Sequence, residues 1–153
     1  MTIPLPDAPS ILHAAREDAG LTQRALAESV GARQPHIAAI ESGRRPVSPE
    51  LLGRLLTAAD YRPSLALATQ RDSLISLGRK HGISEIRVFG SVARGTDRHS
   101  SDIDLLVTFD QSADPLGFAV FVAEATELLG FPVDVVVDDE DVHPLIRRSA
   151  VPL

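Results

Sequence analysis

The spacing of apolar residues changes once along the chain, where a helical pattern that ends near residue 81 gives way to a pattern of strands and helices. From Ser10 to about Leu67 these residues recur at the three- and four-residue spacing of amphipathic helices. Beyond this point the pattern predicts strands at 86–90, 102–109 and 133–137, and one helix from 115 to 129. The chain is therefore predicted to form an all-α domain over residues 10–67, followed by a small mixed-sheet α/β domain over residues 68–153.

The two predicted domains meet where DYRPS at 60–64 interrupts the helical pattern. Pro63 follows the fourth predicted helix, so the boundary is predicted between about Asp60 and Thr69. A fifth helix is expected from about Ser64 to His81, with an interruption near Thr69. Residues 1–9 contain three Pro and are predicted to be a flexible arm.

Composition and charge exclude several classes of protein. The 153 residues include no Cys, which rules out disulfides and cysteine-ligated zinc. No apolar run reaches the ~18 residues of a membrane-spanning helix, and the first ten residues lack the features of a signal peptide. We therefore expect a soluble cytoplasmic protein that does not enter a membrane.

The formal net charge of −6 arises in the second half of the chain. Residues 1–68 carry seven Arg and seven acidic residues, whereas residues 69–153 carry eight basic and fourteen acidic residues. This balance argues against the second half binding nucleic acid through charge, and it suits a site that collects divalent cations. Alternatively, most of these acidic residues lie on the surface and serve only to keep the protein soluble.

Two short predicted helices flank Gly31 and Ala32 with the spacing of a DNA-binding helix-turn-helix. The positions where two such helices would pack on each other are apolar or small: Leu26, Ala27, Val30, Ile37 and Ile40. The segment LTQRALAESVGARQPHIAAIESGRRPVS resembles the XRE/Cro family of phage-repressor-like domains. The resemblance covers about residues 10–67. A helical bundle that uses this fold only for protein contact is the alternative.

This resemblance implies a recognition helix from about Arg33 to Ser42 and a DNA surface. The residues that it assigns to DNA binding are Gln23, Arg33, Gln34, His36, Arg44 and Arg45. Arg33 and Gln34 suit contacts to base edges, whereas Gln23, Arg44 and Arg45 suit contacts to phosphate. Operator DNA is the expected partner, and a homodimer is the expected DNA-binding form.

The segment IRVFGSVARGTDRHSSDIDLLV at 86–107 carries the chemistry of the second half. A predicted strand ends at Gly90, which lets a backbone approach a phosphate closely, and Ser91 adds a hydroxyl donor. Asp102 and Asp104 lie two residues apart on the next predicted strand and so share one face. Two carboxylates this close repel each other unless a cation lies between them, and magnesium accepts such oxygen ligands.

A third carboxylate, Asp134, lies within the apolar run FPVDVVV, where an isolated charge is costly unless it is paired or bound to metal. A neighbouring strand would bring it beside Asp102 and Asp104. Taken alone, the Gly-Ser pair could be a simple turn and the two aspartates a solvated strand face. The combination of all these features predicts a metal-dependent phosphate site.

This stretch resembles the DNA polymerase beta-like nucleotidyltransferase superfamily, whose signature GS-x10-DxD is matched by Gly90, Ser91, Asp102 and Asp104. Over about residues 70–153 the chain looks most like the minimal nucleotidyltransferases, because it ends at Leu153 without a further nucleotide-binding domain. That branch includes the antitoxins of HEPN–MNT toxin–antitoxin pairs. Those antitoxins transfer AMP from ATP to a tyrosine of the HEPN ribonuclease toxin.

The resemblance implies a mechanism and a function. Two magnesium ions held by Asp102, Asp104 and Asp134 organise attack on the α-phosphate of ATP, Asp134 acts as base, and Gly90, Ser91 and Arg94 bind phosphates. The expected function is an antitoxin that adenylylates its toxin and represses its own operon. The alternatives are a regulator or antitoxin that docks a toxin or senses nucleotide without turnover, and a transferase acting on small molecules.

Overall fold

The structure, a computed structural model, describes residues 7–110 and 114–153. Its contacts divide the chain between Tyr61 and Arg62. This division lies within the predicted boundary zone of residues 60–69, and it assigns the whole fifth helix to the second unit. Among the residues described, none of the helices combines the length and the apolar character needed to span a bilayer.

From residue 7 onwards, where the structure describes it, the first unit consists of four helices: α1 (Ala8–Asp18), α2 (Gln23–Ser29), α3 (Gln34–Glu41) and α4 (Pro49–Ala58). Side-chain caps begin two of them, because Thr22 Oγ1 accepts from Ala25 N and Ser48 Oγ accepts from Leu51 N. Helices α2 and α3 pack against each other. The core consists of aliphatic side chains that are fully buried: Leu12, Leu26, Ile37, Ile40, Leu55 and Leu56.

The start of α1 differs from the prediction. The sequence predicts a helix capped by Ser10 after an arm of nine residues, whereas α1 begins at Ala8. Pro9 lies in its first turn, where a proline loses no helical hydrogen bond and its fixed φ suits the helix. The predicted arm therefore cannot include residues 8 and 9, and its residues 1–6 lie outside the described part of the chain.

The second unit begins with α5 (Pro63–Lys80), which is continuous. The predicted interruption near Thr69 is wrong, because the Thr69 hydroxyl donates to Leu65 O at 2.9 Å and so finds its partner within the helix. The remaining elements are β1 (Ile83–Phe89), α6 (Gly90–Ala93), β2 (Ile103–Phe109), α7 (Pro115–Leu129), β3 (Val133–Val137), α8 (Pro144–Ser149) and β4 (Val151–Pro152).

The four strands form one mixed sheet in the order β3-β2-β1-β4, which confirms the predicted fold class. Strand β2 runs antiparallel to β1 and parallel to β3, with α7 as the crossover between them. Helix α5 covers one face of the sheet, where Gly78 lies directly against Ile86. Strand β4 and helix α8 were not predicted from the sequence.

The two faces of the sheet differ in chemistry. The register pairs Ile86 with Val107 and Val88 with Leu105, so these buried residues share the face beneath α5. Because side chains alternate along a strand, Asp104 points to the opposite face. The candidate site therefore lies on the face that α5 leaves open.

Candidate active site

Two neighbouring parallel strands bring the three predicted carboxylates together. Asp104 is the second residue of β2 and Asp134 the second residue of β3, and the register pairs them directly. Asp102 immediately precedes β2. Each residue offers one carboxylate oxygen, and these three oxygens all lie within 4.8 Å of one another. Asp104 is half-buried between two exposed partners.

Burial and like charge act together on the central carboxylate. Burial raises the pKa of Asp104 above its ordinary value, and the negative charges of Asp102 and Asp134 raise it further. The positive charge of Arg94 opposes both effects. The cluster therefore carries unfavourable negative charge that a cation bound among the three oxygens would relieve.

The turn after β1 lies against this cluster. Gly90 has φ +67°, in the left-handed region that favours glycine. A Cβ added to Gly90 would lie 1.9 Å from Asp104 Oδ2 and 2.9 Å from its Cγ. The missing side chain thus makes room for the Asp104 carboxylate, and it leaves the backbone of the Gly-Ser turn in direct contact with the acidic cluster.

Hydrogen bonds order the short segment that follows Gly90. Ser91 is half-buried in α6, and its carbonyl oxygen accepts from Thr96 N at 3.0 Å. Arg94 ends α6 as its C-cap and is exposed. Ser91 and Arg94 therefore lie on the element that immediately follows the Gly90 turn.

The donor set matches the requirements of a divalent cation. Three carboxylates supply hard oxygen ligands, which magnesium prefers. Their mutual repulsion is expected of a site built to hold positive charge. The residues therefore fit magnesium, with Asp102, Asp104 and Asp134 as ligands.

The predicted DNA-binding residues cluster around α3 in the first unit. Arg33 is its N-cap, Gln34 its first residue and His36 a half-buried residue of its first turn, and Arg44 and Arg45 are exposed just beyond its end. Arg44 Nε donates to Ser42 Oγ at 2.9 Å. The sixth residue, Gln23, begins α2.

Side-chain hydrogen bonds connect this surface to the interior of the unit. Gln34 Nε2 donates to Gln23 Oε1 at 2.8 Å, and Gln23 Nε2 donates to Glu41 Oε2 at 2.9 Å. Glu41 also binds Arg16, with 2.7 Å between Arg16 Nε and Glu41 Oε1. Gln23 was predicted to meet phosphate, and in this structure its amide holds Gln34 in place.

One ionic cluster near the site was missed by sequence reasoning. Asp138, just after β3, accepts from Arg87 of β1 and, at 2.7 Å, from Arg147 Nε of α8. The hydrogen bond from Arg147 and then that from Arg87 lower the pKa of Asp138 against the opposing effect of burial. The cluster joins β1, β3 and α8. The available signal was Arg87 between the apolar residues Ile86 and Val88.

Asp97, in the connection between α6 and β2, was also missed. It is one of the two charged residues among the buried ones that the structure describes, the other being Arg16. Its carboxylate accepts from Ser64 N at the start of α5. No local sequence signal identifies a partner 33 residues away.

Comparisons with known proteins agree with this architecture. The nucleotidyltransferase domain family matches residues 70–151, and a helix-turn-helix domain family matches residues 11–66. A solved structure described as a "putative minimal nucleotidyltransferase" superposes with a TM-score of 0.53 at 38% identity. That match covers 59% of this chain and 95% of the other.

Two known proteins are similar in sequence to part of this chain. A "putative protein adenylyltransferase" of Methanocaldococcus jannaschii is 36% identical over 74 residues, which is 48% of this chain and 78% of that protein. The protein adenylyltransferase MntA of Thermococcus cleftensis is 40% identical over 60 residues, which is 39% of this chain and 61% of that protein. The chain therefore belongs to the nucleotidyltransferase domain family and carries a helix-turn-helix domain ahead of its catalytic fold.

Proposed function

We propose that the protein is a magnesium-dependent protein adenylyltransferase that acts as an antitoxin. In this proposal it transfers AMP from ATP to a tyrosine of a HEPN ribonuclease toxin, and thereby silences the toxin. Its helix-turn-helix unit binds the operator of its own operon as a homodimer and represses transcription.

One observation carries the catalytic part of the proposal. The three carboxylate oxygens of Asp102, Asp104 and Asp134 lie within 4.8 Å of one another, and the Gly90 backbone lies against the central one. A phosphate held by the Gly-Ser turn would therefore lie beside three acidic ligands. Metal ligands next to a phosphate-binding turn are what nucleotidyl transfer requires.

Each residue of the site has a distinct part in this reaction. The tyrosine oxygen attacks the α-phosphorus, a new O–P bond forms, and the bond between the α- and β-phosphates breaks to release pyrophosphate. Exposed Asp134 accepts the phenolic proton, while Gly90 and Ser91 hold the β- and γ-phosphates. Arg94 offsets charge on pyrophosphate. Magnesium held by the three carboxylates would supply Lewis acidity at the phosphate oxygens.

The choice of a protein acceptor and a toxin rests on two supports. The similar proteins of Methanocaldococcus jannaschii and Thermococcus cleftensis are named as protein adenylyltransferases. The helix-turn-helix unit adds a DNA-binding activity suited to a protein that controls its own expression. Together these features favour an antitoxin over a transferase for small molecules.

The test combines the purified protein with α-labelled ATP, magnesium and the product of the neighbouring reading frame. We expect label on a tyrosine of that product, located by peptide mass spectrometry, and loss of its ribonuclease activity. Asp104→Asn should reduce transfer on the order of 10³-fold or more, because it removes the central ligand. Asp110→Asn, an exposed acid just beyond the other end of β2, is the matched control.

The outcomes separate the proposal from its rival. Tight binding of the neighbouring protein without label would indicate an antitoxin that acts by docking. Transfer that survives Asp104→Asn would refute the assigned site. Equal losses of transfer in Asp104→Asn and Asp110→Asn would show that transfer depends on the total negative charge of the unit and not on the acidic cluster.

A further inference from the structure

The loop between α6 and β2 contains a carboxylate that is buried although it lies outside the acidic cluster. The side chain of Asp97 is 2% exposed. A charged group at such a position is costly unless hydrogen bonds and opposite charge compensate for its lost hydration. The interactions of Asp97 therefore indicate what the loop is built to hold.

The first residues of α5 supply this compensation. Asp97 Oδ2 accepts from Ser64 N at 2.8 Å, and Arg62 Nε lies 3.9 Å from Asp97 Oδ1. Arg62 is the N-cap of α5, and its own side chain makes no capping hydrogen bond. Asp97 thus caps α5 from a distant part of the chain, where a negative charge is favoured by the free N–H groups of the first turn.

The residues on either side of Asp97 are tied to the two halves of the candidate active site. Thr96 N donates to Ser91 O at 3.0 Å, within the Gly-Ser turn and its short helix. Arg98 N donates to Ser101 Oγ at 3.0 Å, and Ser101 N donates to Arg98 O at 2.9 Å. Ser101 directly precedes Asp102, so Asp97 lies between two short hydrogen-bonded links.

We infer that Asp97 is a positioning residue that fixes the phosphate-binding turn relative to the metal-binding aspartates. The hydrogen bond from α5 to Asp97 fixes the positions of its neighbours Thr96 and Arg98. Thr96 in turn donates to Ser91 of the phosphate-binding turn. Arg98 bonds to Ser101, the residue before Asp102. Displacement of a reacting group by about 1 Å can cost a hundredfold in rate. The inference rests on the proposed function, since it assigns Asp97 a part in that site.

The test uses three variants of the full chain. Asp97→Ala removes the acceptor for Ser64 N and releases the loop. Asp97→Asn keeps an amide oxygen that can still accept this bond, and so it tests for rescue. Asp114→Ala is the matched control, because Asp114 Oδ1 caps α7 through Leu116 N at 3.1 Å and lies outside the loop.

Two measurements that need no turnover report on position. Calorimetry with magnesium and a non-hydrolysable ATP analogue should show binding weakened about tenfold or more in Asp97→Ala. Asp97→Asn should stay within about threefold of the wild type, and Asp114→Ala, which also loses a helix cap, should bind normally. Amide exchange by NMR should quicken at Thr96 and Arg98 in Asp97→Ala, and not in Asp114→Ala.

Each contrary result has a separate meaning. Normal analogue binding by Asp97→Ala, or an equal loss in Asp114→Ala, would overturn the inference and leave the proposed function intact. A wild-type protein that binds no analogue would refute the proposed function. The amide-exchange rates at Thr96 and Arg98 would still show whether Asp97 orders the loop. Unchanged rates in Asp97→Ala would overturn the inference in that case too.

Discussion

The Asp104 carboxylate shows how a single side chain can favour function at the expense of stability. Burial and two neighbouring charges raise its pKa, so the ionised form is disfavoured in the folded state. Stability from this group is fully present below the ordinary pKa of 3.8 and is lost as pH rises through the raised folded value. Near neutral pH the metal-free cluster therefore destabilises the fold, and bound magnesium would reverse this effect.

A pair of glycines tests the contact between the turn and this carboxylate. Gly90 and Gly95 both have φ +67°, but a Cβ on Gly90 would lie 1.9 Å from Asp104 Oδ2, whereas one on Gly95 would meet nothing within 4 Å. Both alanine variants should lose about 1 kcal/mol from backbone strain. Gly90→Ala should also lose the rise in melting temperature that magnesium gives the wild type.

Thermal unfolding with EDTA and with magnesium measures both effects. Gly95→Ala serves as the control because it carries the same backbone strain without the clash. If magnesium raised the melting temperature of Gly90→Ala as much as that of Gly95→Ala, the prediction would be wrong. The Asp104 carboxylate could then move away from the turn without loss of metal binding.

The residues of the candidate site could be predicted from the sequence where the evidence for them lies in neighbouring residues of the chain. Asp102 and Asp104 share a face because strands alternate, and Asp134 was conspicuous because its neighbours are apolar. Asp97 and Arg87 could not be assigned in this way. Their partners, Ser64 and Asp138, lie 33 and 51 residues away, so only the assembled sheet and helix bring them together.

Among secondary-structure elements, apolar segments bounded by Pro or Gly gave the most accurate predictions. The bounds of α7 and β3 match the predicted ranges of 115–129 and 133–137. Strand β4 and helix α8 were missed because they depend on tertiary contacts. Strand β4 has two residues, one of them Pro152, and exists through its pairing with β1 at Arg87 and Val88. Such a segment has no period for a sequence pattern to reveal.

The helix-turn-helix unit depends on one buried ion pair between its first and third helices. The side chains of Arg16 and Glu41 are 9% and 5% exposed. Burial raises the pKa of Glu41, but hydrogen bonds from Arg16, Gln23 and His13 outweigh it and leave the pKa below its ordinary value of 4.5. The pair therefore stabilises the fold above pH 4.5, and this contribution is lost as pH falls through the lowered pKa.

Glu41→Gln should reduce the free energy of unfolding by about 3 kcal/mol near neutral pH, because it removes the buried counter-charge of Arg16, which then keeps only the exposed Glu17. The loss should shrink on acidification, when the wild-type carboxylate is itself protonated. Urea unfolding followed by far-UV circular dichroism at several pH values measures this. Glu28→Gln is the control, since Glu28 pairs with Arg24 on the surface, where such pairs contribute under about 1 kcal/mol. Equal losses in the two variants would contradict the assignment.

At the scale of the whole molecule, the two units have opposite relations to phosphate. In the proposed function, arginines around α3 contact the phosphates of DNA, whereas the acids of the second unit require a cation before phosphate can approach. We therefore expect operator binding and nucleotidyl transfer to be separable by mutation.

Replacing Arg44 and Arg45 together by Ala should weaken operator binding and leave transfer unchanged. Each arginine that neutralises a phosphate releases about 0.9 counterion, so the slope of log affinity against log salt should become shallower by about 2. Asp104→Asn should show the reverse, with normal operator binding and no transfer. Fluorescence anisotropy on operator DNA across a salt series, and the labelling assay, measure the two activities.

A double variant with the same change in net charge separates contact from general electrostatics. Arg71 and Arg79 are exposed on α5 in the second unit, so replacing both by Ala removes two positive charges without altering the helix-turn-helix unit. If affinity followed net charge alone, both double variants would bind operator equally poorly and show the same salt slope. Because the slope counts the phosphates that the protein neutralises, and the proposed phosphate contacts belong to the first unit, only the Arg44 and Arg45 pair should change the slope.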